Sequence, residues 1–236
     1  MNRRAAPAAT RGRGGGGGGG AWGHGELASS LVLVFPLFLA YELGALAVNR
    51  VNGADVVTRA VYAAVGSRAL YLLVHAAVAA AFLLWIRRGA RWAALRLEVV
   101  APVVLEAAIY ALTLGALVTL IIDRLLELDI GARGAGEVVA ALGAGVHEEA
   151  VFRLALIGGA VALLRGLPKK PLVAVAIAGS SVLFALAHHW AGEPWSLHAF
   201  AFRCAAGVAF GLIFWFRSFA HAVYAHVLYD LLVAFR

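Results

Sequence analysis

Charge is scarce in this chain of 236 residues: Asp, Glu, Lys and Arg together make up 14% of it, whereas hydrophobic residues make up 63%. A soluble domain is nearer a quarter charged and half apolar. One domain of this length cannot hide so many apolar side chains from water, so a lipid bilayer is implied. Cysteine is almost missing too. Cys204 is the only one, which excludes an intramolecular disulfide and leaves the redox compartment open. The short alternating segments of a membrane barrel are absent, as are internal repeats and any basic–aromatic module for nucleic acid. The net charge of +7 and the pI near 10.2 are therefore assigned to basic loops beside membrane spans, not to nucleic acid.

What is present is a series of apolar runs. A spanning helix needs roughly 20 mostly apolar residues. Runs of that kind fall near 27–48, 69–86, 101–122, 135–164, 171–190, 197–216 and 219–235. Backbone polar groups in hydrocarbon must bond within their own segment, so these are helices. The expected fold is all-α, a polytopic transmembrane bundle of about seven spanning helices, with six to eight as the bounds. Residues 1–25, with Arg3, Arg4, Arg11, Arg13 and the run Gly14 to Gly20, read as a disordered, low-complexity tail. Residues 26–133 read as N-terminal transmembrane helices and residues 134–236 as the functional core. The apolar stretch Leu31 to Leu39 has the look of a signal core, but Tyr41 and Glu42 interrupt it and more spans follow, so a retained first helix is expected.

Lysine and arginine in the connections set the expected orientation. With the N-terminus inside, one side collects Arg3, Arg4, Arg11, Arg13, Arg87, Arg88, Arg91, Arg96, Arg165, Lys169, Lys170 and Arg217. The other collects Arg50, Arg59, Arg68, Arg124, Arg133 and Arg236. The bias predicts a cytoplasmic N-terminus for an integral membrane protein; a bacterial plasma membrane is expected only from the range of the family that the motifs below resemble.

An ionisable residue at bilayer depth costs several kcal/mol and by default marks function. Three clusters stand out. The first is Glu148-Glu149-x-x-x-Arg153. Positions four apart share a helix face, so Glu149 and Arg153 are spaced to pair. Glu148 points about 100° away on an α-helix and has no obvious local cation, which makes it the candidate general base. A salt bridge at a helix end would account for Glu149 and Arg153 but not for Glu148. The second cluster is Phe184-Ala-Leu-Ala-His188, at the end of the fifth span. His189 beside it reads as interfacial. The third is His226-Val-Leu-Tyr-Asp230, again four apart, in the last span. Taken alone, His188 is better explained as a helix-end residue, and His226 with Asp230 is as well explained as a pair bonding each other near a helix end. Taken together, Glu148, His188, His226 and Asp230 lower one another's cost of burial if their helices pack side by side. Buried Glu and His around a water form a hydrolytic arrangement.

The three motifs, EEAVFR, FALAH and HVLYD in that order, resemble the EExxxR, FxxxH and Hxxx(N/D) signature of the CAAX-protease and bacteriocin-processing family (CPBP, or Abi) of intramembrane endopeptidases. The resemblance covers the chain from about Gly134 onward. It implies hydrolysis of a peptide bond in a membrane-anchored or lipidated protein or peptide. By that resemblance Glu148 and His188 would activate a water, His226 and Asp230 would stabilise the oxyanion, and Glu149, Arg153 and Phe184 would hold the site together. Asp230 departs from the asparagine often found there. An ionised aspartate only accepts hydrogen bonds, so Asp230 would orient His226, stay protonated or ligate a metal. No cofactor is expected. Were zinc held, Glu148, His188, His226 and Asp230 would be its ligands, although the H-E-x-x-H helix of the familiar zinc proteases is missing. The expected partners are membrane lipid and a membrane-anchored substrate, with no nucleic acid. Two other classes fit buried Glu, His and Asp. One is a proton- or ion-coupled transporter, which the lack of an inverted repeat disfavours. The other is a non-catalytic protein of the same fold, in an immunity or scaffold role. Glu42 in the first span reads either as lining the same cavity or as bonding a neighbouring helix, and His75 and Glu106 are single polar residues in spans that read as structural contacts.

Overall fold

A computed structural model describes residues 24–48, 63–122, 134–190 and 194–235. The Arg- and Gly-rich stretch ahead of His24 and most of the mixed-charge sequence 123–137 lie outside the described residues. Every described element is helical. In chain order they are α1 (His24–Val48), α2 (Arg68–Arg88), a 3₁₀ turn (Arg91–Leu95), α3 (Leu97–Ile122) and α4 (Ala135–Gly143). A π-helical segment (Ala144–Gly158) continues α4 without a break and runs on into α5 (Gly159–Leu163). The chain then forms α6 (Lys169–Trp190), α7 (Leu197–Phe216) and α8 (Phe219–Ala234).

Each expected span coincides with a helix. Among the described residues five helices are long and apolar enough to cross a membrane: Leu27–Ala45, Ala69–Arg88, Leu97–Leu117, Lys169–Trp190 and Leu197–Phe216. The seventh, α8, has 16 residues, about 24 Å of rise, shorter than a typical span. The fourth expected span, 135–164, is a long helix whose middle is π rather than α. The protein is therefore a helical bundle of the membrane. Leu73, Leu105, Ile109, Val175 and Leu183 are among the large apolar side chains left outside the bundle, as expected of a surface that meets lipid.

Serine fixes three of the helix starts. Ser67, Ser196 and Ser218 sit in extended conformation just before α2, α7 and α8, and each side chain accepts a backbone N–H three residues on, satisfying one of the donors that a helix start leaves open. Glycine lets backbones meet. A Cβ on Gly145 would lie 2.3 Å from Val227 Cγ2 and 3.0 Å from the Val227 nitrogen, so α8 lies directly on the π segment. A Cβ on Gly207 would lie 2.9 Å from the Ser181 Cα, which brings α7 onto α6. Small residues at helix interfaces are how lipid-embedded helices gain packing. Behind these contacts the core of the bundle is built from Ile177, Phe210, Phe214, Phe219 and Val223. The result is that the π segment, α6, α7 and α8, which carry or flank all three motifs, form one packed unit.

Candidate active site

Arg153 anchors the site. It is completely buried, and its Nη1 lies 3.0 Å from Glu149 Oε1. Its Nη2 donates to the Gly207 carbonyl at 3.2 Å. The guanidinium lies over the Phe184 ring at 4.6 Å and the Phe210 ring at 5.4 Å, contacts that favour a cation. The pairing expected of Glu149 and Arg153 is thus present, and the arginine also clamps the π segment to α6 and α7.

Glu149 has a second task. Its Oε1 accepts from His226 Nδ1 at 2.7 Å. Glu149 is ion-paired and acceptor-only, so the ring proton is assigned to Nδ1. His226 is further fixed by Phe210, whose ring stacks on the imidazole with centroids 4.5 Å apart and planes 14° apart. The other nitrogen, Nε2, then points to Glu148 Oε2 at 3.9 Å and to Asp230 Oδ2 at 3.6 Å. One imidazole therefore touches the surroundings of both adjacent glutamates. An α-helix would send them about 100° apart. The π turn is wider, so neighbouring residues diverge less, and the two carboxyls face α8 together. Such π turns recur at functional sites. The 100° separation expected from the sequence is corrected by this local winding, whereas the pairing of residues four apart survives it.

His188 completes the group. Its Nδ1 bonds the Phe184 carbonyl at 2.9 Å. A carbonyl only accepts, so Nδ1 carries the hydrogen, and in the neutral form of the ring Nε2 keeps its lone pair. That nitrogen lies 3.9 Å from Glu148 Oε2. Phe184 packs edge-on against both His188 and His226, at 4.8 and 6.1 Å between centroids. The two 3.9 Å separations exceed a direct hydrogen bond, and Glu148 Oε2, buried, has no hydrogen-bond partner among the described residues. Glu148, Glu149, His188, His226 and Asp230 thus converge, with Arg153 and Phe184 behind them.

The neighbouring polar residues go elsewhere. His147 turns away and bonds Gly143 O at 3.1 Å, its ring 4.9 Å from that of Tyr41. His189 packs on Trp195 at 4.7 Å. Glu42 is buried but reaches α2, where Tyr71 Oη donates to it and His75 Nε2 lies 3.3 Å away. Glu106 gathers Arg217, Tyr110 and His221. Phe210 and Gly207 were not distinguishable in the sequence. A phenylalanine and a glycine in an apolar span look like core, and only their contacts with His226 and Arg153 set them apart. As to a metal, no group of three or more His, Cys, Asp or Glu among the described residues is arranged to hold one. The Nδ1 atoms of His188 and His226 are bonded to a carbonyl and a carboxylate, which leaves Nε2 of each as the nitrogen that faces Glu148.

The fold and this cluster define a class: a polytopic helical membrane protein with ionisable groups gathered inside the bundle. Residues 136–232 match the family described as Rce1-like, type II CAAX prenyl endopeptidase. The match is a domain-level likeness to the CPBP family, which comprises CAAX endopeptidases of the membrane, and it spans under half of the chain. No curated protein and no solved structure matches the chain.

Proposed function

We propose that the protein hydrolyses a peptide bond of a membrane-anchored protein through a water activated by Glu148 and His188, in a bacterial plasma membrane. The supporting observation is Glu148 Oε2, buried, without a hydrogen-bond partner among the described residues, and 3.9 Å from Nε2 of both His188 and His226. Gaps of that length suit a bridging water. In the proposed step the water gives one proton to Glu148 while its oxygen attacks the scissile carbonyl carbon. His188 Nε2 accepts the water's second hydrogen as a hydrogen bond and aims the lone pair. The carbonyl oxygen becomes an oxyanion. His226, doubly protonated in the working form and balanced by Glu149 at Nδ1, donates to it from Nε2. Asp230 beside that nitrogen works in its protonated form, as a second donor. When the C–N bond breaks, Glu148 returns its proton to the amine nitrogen. The products are a new carboxyl end and a new amine. A preorganised oxyanion donor is worth about 3–4 kcal/mol of barrier, and a positioned base about 10²–10⁴ in rate.

The direct test is cleavage of membrane-anchored peptides, lipidated and not, by wild type, Glu148→Ala, Glu149→Ala and His188→Ala in liposomes, with and without a zinc chelator. Loss in Glu148→Ala and His188→Ala with no chelator effect is the expected result. Inhibition by chelator, or activity in Glu148→Ala, would overturn the mechanism.

A further inference from the structure

We infer that the active site opens on the non-cytoplasmic face of the membrane, so that its substrate is the extracytoplasmic juxtamembrane segment of a membrane-anchored protein. The substrate part rests on the protease reading above. The side of the membrane does not.

The site has a closed end and an open end. The side chains of Glu148 and His226 are 6% and 5% exposed, whereas those of His188 and Asp230 are 27% and 29% exposed. His188 is two residues from the end of α6 at Trp190, and Asp230 is four from the end of α8 at Ala234. The open end therefore faces the α6–α7 connection. Trp190 and Trp195 there are 74% and 64% exposed, as interfacial tryptophans are at the edge of a bilayer.

Basic side chains gather at the other end. Lys169, which opens α6, lies over the Trp215 ring near the end of α7, 5.4 Å from its centroid. Arg217, in the α7–α8 turn, reaches Glu106 in the first half of α3. Tyr224 in the first half of α8 donates to the Leu33 carbonyl in the first half of α1 at 3.0 Å. Val32 of α1 packs with Ile86 at the end of α2 and with Ala94. Hence Arg87, Arg88, Arg91 and Arg96 share this end with Arg165, Lys169, Lys170 and Arg217. Connections rich in Lys and Arg stay on the cytoplasmic side. Within the Rce1-like region the contrast is complete for connections. The α6–α7 joint, residues 191–196, holds Glu193 and no Lys or Arg, and Arg203 is set inside α7. Among the described residues the basic end holds eight Lys and Arg, and Arg68 at the start of α2 lies at the site end.

Single-cysteine labelling in a Cys204→Ala background reports the side without needing activity. Pro194→Cys marks the α6–α7 connection and Gly166→Cys the α5–α6 connection, where an added side chain meets nothing within 4 Å. With a membrane-impermeant maleimide, Pro194→Cys should label in right-side-out vesicles and not in sealed inverted ones, and Gly166→Cys the reverse. The opposite pattern overturns the inference. A second arm gives the full-length protein two single-span reporters that carry one cleavable segment either outside or inside. Cleavage of the outside reporter alone supports the substrate claim. Cleavage of the inside reporter refutes it. If neither is cut while labelling is as expected, the protease reading and the substrate claim fail together and the orientation stands.

Discussion

The N-terminal helices and the C-terminal half each bury carboxylates, but they partner them differently. Glu42 in α1 takes Tyr71 and His75 of α2. Glu106 in α3 takes Tyr110, Arg217 and His221. Glu149 takes Arg153 and His226. In all three, hydrogen bonds and charge offset desolvation, and the pair ties one helix to another. Glu148 is one residue from Glu149 and has no such arrangement: its Oε2 is buried, unbonded, and at water-bridging distance from two imidazoles. A carboxylate that holds helices together is satisfied by the protein itself. One that is kept from satisfaction is available to a substrate.

The largest effect that separates the two kinds is expected at Glu148. Glu148→Gln keeps size and polarity but cannot take a proton from water, so cleavage should fall by about 10²–10⁴, to background in most assays. Because no partner is lost at Oε2, the melting temperature in detergent should stay at the wild-type value or rise. A matching fall in stability would mean that Glu148 is a structural carboxylate after all. Glu149→Gln should show the reverse balance. The amide still accepts from His226, but Arg153 is left as a buried charge without its counterion, a loss of about 3–5 kcal/mol. Thermal unfolding should drop sharply, and cleavage should fall with it. Normal stability with lost cleavage would place Glu149 among the reacting groups instead.

Gly207→Ala acts at one remove. The new methyl would meet the backbone of Ser181 at 2.9 Å, which forces α6 from α7 at the level of the Gly207 carbonyl that receives Arg153. Overpacking of this kind costs about 1–3 kcal/mol. Partial loss of cleavage is expected through displacement of Arg153 and Phe210, measured as reduced turnover with the chain still folded. Wild-type turnover would show that the α6–α7 contact does not position the site.

Much of this was legible in the sequence. Apolar run length gave the long helices among the described residues, and three motifs whose key residues stand four apart gave the residues that converge. Both signals are periodic, and period is what a sequence carries. What escaped it depends on contacts between distant segments or on local winding. The π turn that brings Glu148 and Glu149 to one face has no residue signature. Phe210 looks like any core aromatic until its stacking on His226 is seen. Glu42 reads in the sequence as either a cavity-lining group or a contact to a neighbouring helix, and His75 and Glu106 as single contacts; the structure joins them into two clusters, because the partners Tyr71 and Arg217 lie 29 and 111 residues away.

The smallest effect is expected at Glu106, and it tests whether partnering rather than depth decides a carboxylate's role. Glu106 lies in the α3 span and gathers three groups, Tyr110, Arg217 and His221, where Glu149 gathers two. It is, however, 27% exposed, and its partner Arg217 is 48% exposed, so water replaces much of what a substitution removes. An ion pair of that exposure is worth under about 1 kcal/mol. Glu106→Gln retains an acceptor for Tyr110 and Arg217 and leaves no charge stranded in the core. A shift of a degree or two in melting temperature, on the order of that energy, with wild-type cleavage, is the expected outcome in the same assays used for Glu148→Gln. The Ser218 cap of α8 stays in place in that variant, since Ser218 Oγ contacts the His221 backbone and ring and not Glu106. A large loss of cleavage would mean that α3 controls the pose of His226 through α8, and the division between helix-holding and water-holding carboxylates would then have to be drawn by helix and not by partner.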